Sequence, residues 1–353
     1  MTPLQTEAPK VKNTHHLLIN RLLLNQRFAL GLLIILLFVG FGLATPAFFN
    51  GQFVVFPLLR DTATFTVVGL AQLCALSIGH MNLAVGRMAA VSAMTAGFAY
   101  EKLHFSLVPG VIVGLVTGAA IGAFAGWLIV KSRVNSFVVT LSLDFALLGL
   151  VTLVYISFTD AAAFTTKPAG MDTIRNGSLG DYCVGNICGP SLVPLLTIPA
   201  LVALLIVWWI FSKMKLGREL LATGANLRAA QLSGVRTERR IITAHMMSGL
   251  LAGLGGLMLA MTSGSFSAAI GSEFMLPSFL GPILGGTILS GGSVAVFGTM
   301  LGTMLTLLIR QGLTVRGIGL ETLNIALGTI LLLALSTERV RTAIATRRKK
   351  GDK

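Results

Sequence analysis

Leu107-Val108-Pro109-Gly110-Val111-Ile112-Val113-Gly114-Leu115-Val116-Thr117-Gly118-Ala119-Ala120-Ile121-Gly122-Ala123-Phe124-Ala125-Gly126-Trp127-Leu128-Ile129-Val130 contains no charged side chain. A helix that crosses a bilayer needs about 20 mostly apolar residues, and this run supplies them without interruption. Gly114, Gly118, Gly122 and Gly126 recur at every fourth position, which places them along one face of a helix. Apolar helices gain little from hydrophobic burial against one another in lipid, so close backbone packing through small residues drives their association. The segment is therefore expected to span a membrane with its glycine face against a second helix, either as static packing or as a seam between moving helices. Gly249 with Gly253, and Gly298 with Gly302, repeat the spacing.

Working outward, similar apolar runs lie at 28–48, 54–78, 86–100, 135–157, 192–211, 241–262, 275–290, 294–311 and 318–336. Hydrophobic residues make up 54% of the 353-residue chain and charged residues only 11%, where a soluble domain carries about 25%. The expectation is an all-α integral membrane protein of about ten transmembrane helices. The runs at 86–100 and 275–290 are short for a full crossing, as broken helices at a transport route are. The chain then divides into a tail at 1–27, a membrane domain at 28–340 and a basic tail at 341–353.

The net charge of +14 is no nucleic-acid footprint, because the basic residues sit in short blocks between apolar runs and at both ends. The block at 212–240 holds Lys213, Lys215, Arg218, Arg228, Arg236, Arg239 and Arg240 against Glu219 and Glu238. The loop at 158–191 instead holds Asp160, Asp172 and Asp181 against Lys167 and Arg175. Basic loops stay in the cytoplasm, so both termini and 212–240 are expected inside a bacterial inner membrane, with 158–191 periplasmic. Arg310 and Arg316 fall on the outer side against this rule; Glu321 is their expected partner. Cys183 and Cys188 share the outer loop, with too few neighbouring Cys or His residues for a metal site, and an oxidising compartment would favour a disulfide. Cys74 reads as core.

Polar groups within the spans are few. Asp144 lies in the middle of 135–157, where a charge costs about 2.5–3.5 kcal/mol to insert; it is expected to face protein or water, as a structural partner or a pathway group. His80 and Asn82 lie between two spans, where Asn82 is placed to cap the following helix and His80 could meet a solute. No zinc-protease, nucleophile-elbow or phosphate-loop motif is present. The chain is thus expected not to be an enzyme and to bind no cofactor, with any ATP and Mg held by another polypeptide.

The stretch from Leu216 to Val235 is amphipathic, with a glycine near each end, and reads as a helix–turn–helix able to dock in a groove on a soluble partner. It carries the pattern Gly-Arg-x-x-x-Ala-x-Gly-x-Asn-x-x-Ala-Ala-x-x-x-Gly at Gly217, Arg218, Ala222, Gly224, Asn226, Ala229, Ala230 and Gly234. A second pattern, Gly-Gly-Thr-x-Leu-x-Gly-Gly followed by Gly-Thr, falls at Gly285, Gly286, Thr287, Leu289, Gly291, Gly292, Gly298 and Thr299. In both, the chain resembles permeases of binding-protein-dependent ABC importers of the ribose type. The resemblance implies ATP-binding-cassette ATPase subunits seated on 217–234, a periplasmic solute-binding protein, a second permease subunit (identical or related), and lipid around the bundle. It further implies a route past His80, Asn82, Asp144, Gly285, Gly286, Gly291 and Gly292 for a monosaccharide or sugar-like compound. Nucleosides, branched-chain amino acids and a furanosyl signalling molecule remain alternatives, as does an ion-coupled carrier built on Asp144. Two places depart from the family. Gly-Gly-Ile-Asp-Leu-Ser-Val-Gly is replaced by Gly79-His80-Met81-Asn82-Leu83-Ala84-Val85-Gly86, and Glu-Leu-Asp by Met275-Leu276-Pro277.

Overall fold

The computed structural model describes residues 26–159, 163–181, 183–184 and 187–319, with positions 322, 325, 328, 329 and 332 beyond them. The tails at 1–25 and 341–353, Asp160, Glu321 and most of the run at 318–336 lie outside the described residues. The helices are α1 (Gln26–Ala44), α2 (Phe56–Leu76), α3 (Val85–Glu101), α4 (Leu107–Ser132), α5 (Ser136–Phe158) and α6 (Met171–Asn176). They continue as α7 (Thr197–Lys213), α8 (Lys215–Ala225), α9 (Leu227–Leu232), α10 (Thr237–Ser263), α11 (Met275–Leu284) and α12 (Val296–Val315).

Five helices among the described residues are long and apolar enough to cross a membrane: Gly51–Leu76, which includes α2, together with α4, α5, α10 and α12. The pair α7 and α8 makes a sixth only if taken as one span, and it bends by 73°. The protein is thus a multi-pass helical membrane protein with five or six such spans described, where hydropathy alone led to about ten. The two short runs account for part of the difference. The first forms the 17-residue α3; the second forms the 10-residue α11, about 15 Å long at 1.5 Å per residue. Glycine explains the stop of α11: Gly286, Gly291 and Gly292 all have positive φ in the turn that follows, a conformation that side chains with a Cβ resist.

The core forms around α10, which packs along α4, α2 and α3. The glycine stripe of α4 faces α10: Gly114, Gly118, Gly122 and Gly126 are buried. A Cβ on Gly118 would stand 2.5 Å from the Gly249 carbonyl oxygen, and one on Gly249 2.2 Å from that of Gly118. Val108, Ile112, Val116, Phe124 and Trp127 of the same helix are exposed, as are Phe145, Leu153 and Ile156 of α5. So much apolar surface on long helices suits lipid as the surrounding solvent. Cys74 is fully buried in the core, as its apolar run suggests.

A little β structure supplements the helices. β1 (Ala163–Phe164) pairs antiparallel with β4 (Phe266–Ser267), and β2 (Cys183–Val184) with β3 (Ile187–Cys188). The first pair ties the 159–196 loop to the stretch between α10 and α11. The Tyr155 hydroxyl donates to the Phe266 carbonyl at 2.6 Å, and Glu101 accepts from the backbone of Thr165 and Thr166 at 3.0 and 3.3 Å. Cys183 and Cys188 are register partners across the second pair. A disulfide there depends on side chains outside the described residues.

Candidate functional site

The bend between α7 and α8 depends on Gly217. A Cβ there would lie 2.2 Å from the Ile210 carbonyl oxygen, so the two helices meet backbone to backbone. After α8, the Asn226 side chain accepts from Ala229 N at 3.0 Å and caps α9, and Gly234, at φ +81°, ends the unit. The signature residues separate by environment. Gly217 and Ala230 are buried and Gly224 half-buried, whereas Arg218, Ala222, Asn226, Ala229 and Gly234 are exposed. Leu227 and Leu232 are exposed beside them, Leu232 at 89%. Glu219 joins Arg240 and Lys215, which fastens α8 to the start of α10.

The inward end of α8 meets both breaks in the bundle. A Cβ on Gly224 would stand 2.1 Å from the Ser77 carbonyl oxygen and 2.7 Å from Gly292 N. Gly292 N donates to the Ser77 carbonyl at 3.0 Å. A Cβ on Gly291 would lie 2.5 Å from Gly79 N, and one on Gly79 2.7 Å from the Ser290 carbonyl oxygen. Three segments distant in sequence therefore touch through bare backbone: the end of α8, the break after α2 and the turn after α11. The end of α8 thus meets the other two without an intervening side chain at Gly224. Gly285 seats α11 on α12, 2.2 Å from the Gly298 carbonyl carbon when given a Cβ.

Next to this junction lies a polar cluster. His80 Nδ1 and His245 Nε2 of α10 are 3.2 Å apart, so one nitrogen of the pair carries the shared proton. Asn82 is fully buried and donates to Ser248 Oγ at 2.9 Å. With its nitrogen turned to the Asn82 carbonyl, the buried Gln72 amide pairs with the Asn82 backbone at 2.8 and 3.2 Å. Asn82 does not cap α3: Ala84 holds the N-cap position without a side-chain bond, and Asn82 Oδ1 accepts from Ala84 N at 3.1 Å. It stands three residues before the first residue of the helix, with its amide drawn to α10. His80 is half-buried.

Asp144 lies apart from that cluster, 3.8 Å from Arg87 Nε across the α3–α5 contact. Both side chains are mostly buried, at 18% and 23% exposure. Sequence reading passed over Arg87, a lone charge in an apolar run. Removing one partner of a buried pair strands the other charge. Arg87→Ala is therefore expected to cost about 3 kcal/mol of stability, with Arg87→Leu combined with Asp144→Leu recovering most of it. Thermal melts of the purified protein would decide: an unchanged midpoint in Arg87→Ala would remove the pair from the stability account.

Arg310 pairs with Glu273 at 3.4 Å. Glu321, its partner by sequence reading, lies outside the described residues. Glu273 sits two residues before Met275, where the family has its Glu-Leu-Asp, and nothing in that spacing points to Arg310.

A family model described as branched-chain amino acid transport system / permease component matches residues 54–335. The chain belongs to this permease family. The permease is 27% identical to the ribose import permease protein RbsC of Escherichia coli K12, over 89% of this chain and 93% of that protein. It is 29% identical to the ribose import permease protein RbsC of Bacillus subtilis 168, over 89% and 92%. With the D-allose transport system permease protein AlsC of Escherichia coli K12 it shares 23% identity, over 85% and 87%. No solved structure matches it. As a permease component the chain is a translocation subunit and not an enzyme.

Proposed function

We propose that this chain is the membrane subunit of an ATP-driven importer in a bacterial inner membrane, moving a sugar-like solute inward by alternating access. The observation that carries this reading is the backbone contact of Gly224 with Ser77 and Gly292. It joins an exposed helix pair, suited to a soluble partner, to both breaks in the bundle. Two ATPase subunits holding ATP and Mg seat on the exposed face around Arg218, Ala222, Ala229, Leu227 and Leu232. A periplasmic binding protein delivers solute at the opposite end, and a second permease subunit completes the route. That route runs along His80, Asn82 and the glycines at 285, 286, 291 and 292, with Asp144 and Arg87 holding α5 to α3 beside it. Relatives named for ribose and allose import support a sugar-like cargo. An ion-coupled carrier finds less support, because Asp144 already has Arg87 as counter-charge.

Purification from native membranes in mild detergent, with mass spectrometry of co-purifying chains, tests the proposal. A stoichiometric partner with a phosphate loop is the expected result, lost in Ala229→Arg together with uptake. A chain that emerges alone and moves solute in liposomes without ATP would overturn it.

A further inference from the structure

The end of the bundle away from the coupling segment contains a cavity of about 490 Å³ between the first turns of α2, the stretch before α11 and the last turns of α12. Its place follows from the helices. α2 meets Gly224 just beyond its Leu76 end, and Asp61 stands about 22 Å up the helix from Leu76 at 1.5 Å per residue. Asp61, Phe65, Glu273, Phe274, Arg310 and Gln311 line the cavity. The volume falls within the roughly 300–1,000 Å³ of small-molecule sites.

The lining has a definite chemical character. Arg310 pairs with Glu273 at 3.4 Å, and its charge also reaches Asp61. A guanidinium only donates and carboxylates only accept, so together they match vicinal hydroxyls, which do both. Phe65 and Phe274 meet edge to face at 5.3 Å between centroids and offer an apolar wall for the C–H face of a ring. Arg60 pairs in turn with Asp61 at 3.8 Å, so two carboxylates and two guanidiniums balance one another, which suits a neutral solute. On the same two helices, α2 and α12, Thr62, Thr66 and Thr303 carry buried hydroxyls without a hydrogen-bond partner among the described residues. Helical threonines commonly bond the carbonyl one turn back, as Thr64, Thr299 and Thr306 do here.

We infer that this cavity receives the solute in the permease itself, and that it takes a neutral ring bearing vicinal hydroxyls, a furanose or pyranose. The inference rests on the importer reading above. It also gives Arg310 a reason to sit at the outer end of a span, against the charge rule.

The test is ATP-driven uptake by the intact transporter, purified with its partners and reconstituted in liposomes, using D-ribose with L-leucine as comparison. Asp61→Asn and Gln311→Ala should each lower kcat/KM for D-ribose about tenfold, as loss of one hydrogen bond to a charged or polar group does. Independently, a thiol placed by Thr314→Cys at the cavity rim should react several-fold more slowly with an impermeant maleimide when D-ribose is present. This second readout holds even where the first variants fold poorly. Wild-type kinetics in both variants, or labelling indifferent to D-ribose, would overturn the site while leaving the importer reading intact. Uptake of L-leucine in place of D-ribose would overturn the polyol class. Uptake that needs no ATP would instead sink the importer reading beneath it.

Discussion

Gly224→Ala should uncouple the transporter while leaving its partner attached. The added Cβ would lie 2.1 Å from the Ser77 carbonyl oxygen, and neither obstacle nor neighbour is a side chain able to rotate away. Overpacking of this kind costs about 1–3 kcal/mol. Borne by one of two alternating states, that strain changes their ratio by between roughly fivefold and 150-fold. Uptake should fall accordingly, yet the exposed face at Ala222, Ala229 and Leu232 is unaltered, so an ATPase should still co-purify. Gly149→Ala, where a Cβ meets nothing within 4 Å, serves as the control. Full uptake by Gly224→Ala would mean the backbones part freely, and the junction would lose its role as transmitter. The variant is more informative than Ala229→Arg, which removes docking and coupling together.

The second large effect concerns folding. Gly118→Leu or Gly122→Leu should reduce the yield of folded protein at least about tenfold, because close backbone packing is what holds such helices together in lipid. A Cβ alone at Gly122 would stand 2.2 Å from the His245 carbonyl oxygen, and leucine adds three more carbons. Gly40→Leu and Gly149→Leu, both with open space around the glycine, should express normally. Quantitative gel filtration of the fluorescently tagged protein reads all four. Equal yields would show that α4 can leave α10 without loss, contrary to the seam described above.

The spans legible in the sequence were the ones defined by composition alone. The runs at 54–78, 107–130, 135–157, 241–262 and 294–311 reappear, shifted by a few residues, as the five full-length spans. The glycine stripe also revealed its partner-facing side, because a four-residue repeat on a helix has one geometric meaning. Hydropathy cannot show where an apolar run leaves the helix. The residues after Leu284 are apolar enough to extend a span, but the glycines at 286, 291 and 292 turn the chain back.

At the site, the helix–turn–helix expected over 216–235 was legible because its amphipathic pattern is local; the Asn226 cap between its two helices was not singled out. The pairings His80 with His245, Asp144 with Arg87 and Arg310 with Glu273 were not. Each joins side chains from separate elements, up to 165 positions apart, and no spacing rule along one chain reports such a meeting. Asp61 and Gln311 were passed over for the same reason, since each gains meaning only from the cavity around it.

The bare-backbone junction of Ser77, Gly79, Gly224, Gly291 and Gly292 also constrains inheritance. Where two side chains interlock, enlargement of one can be relieved by shrinking the other, and genetic suppressors arise in the contact itself. At Gly224 and Gly291 the facing groups are backbone atoms alone, without a side chain to shrink. A lesion at Gly224 or Gly291 therefore has no local revertant other than glycine. Suppressors that restore transport should map to the helices that carry the junction, altering how far α2, α8 or α11 is pushed, and never to the junction's own residues.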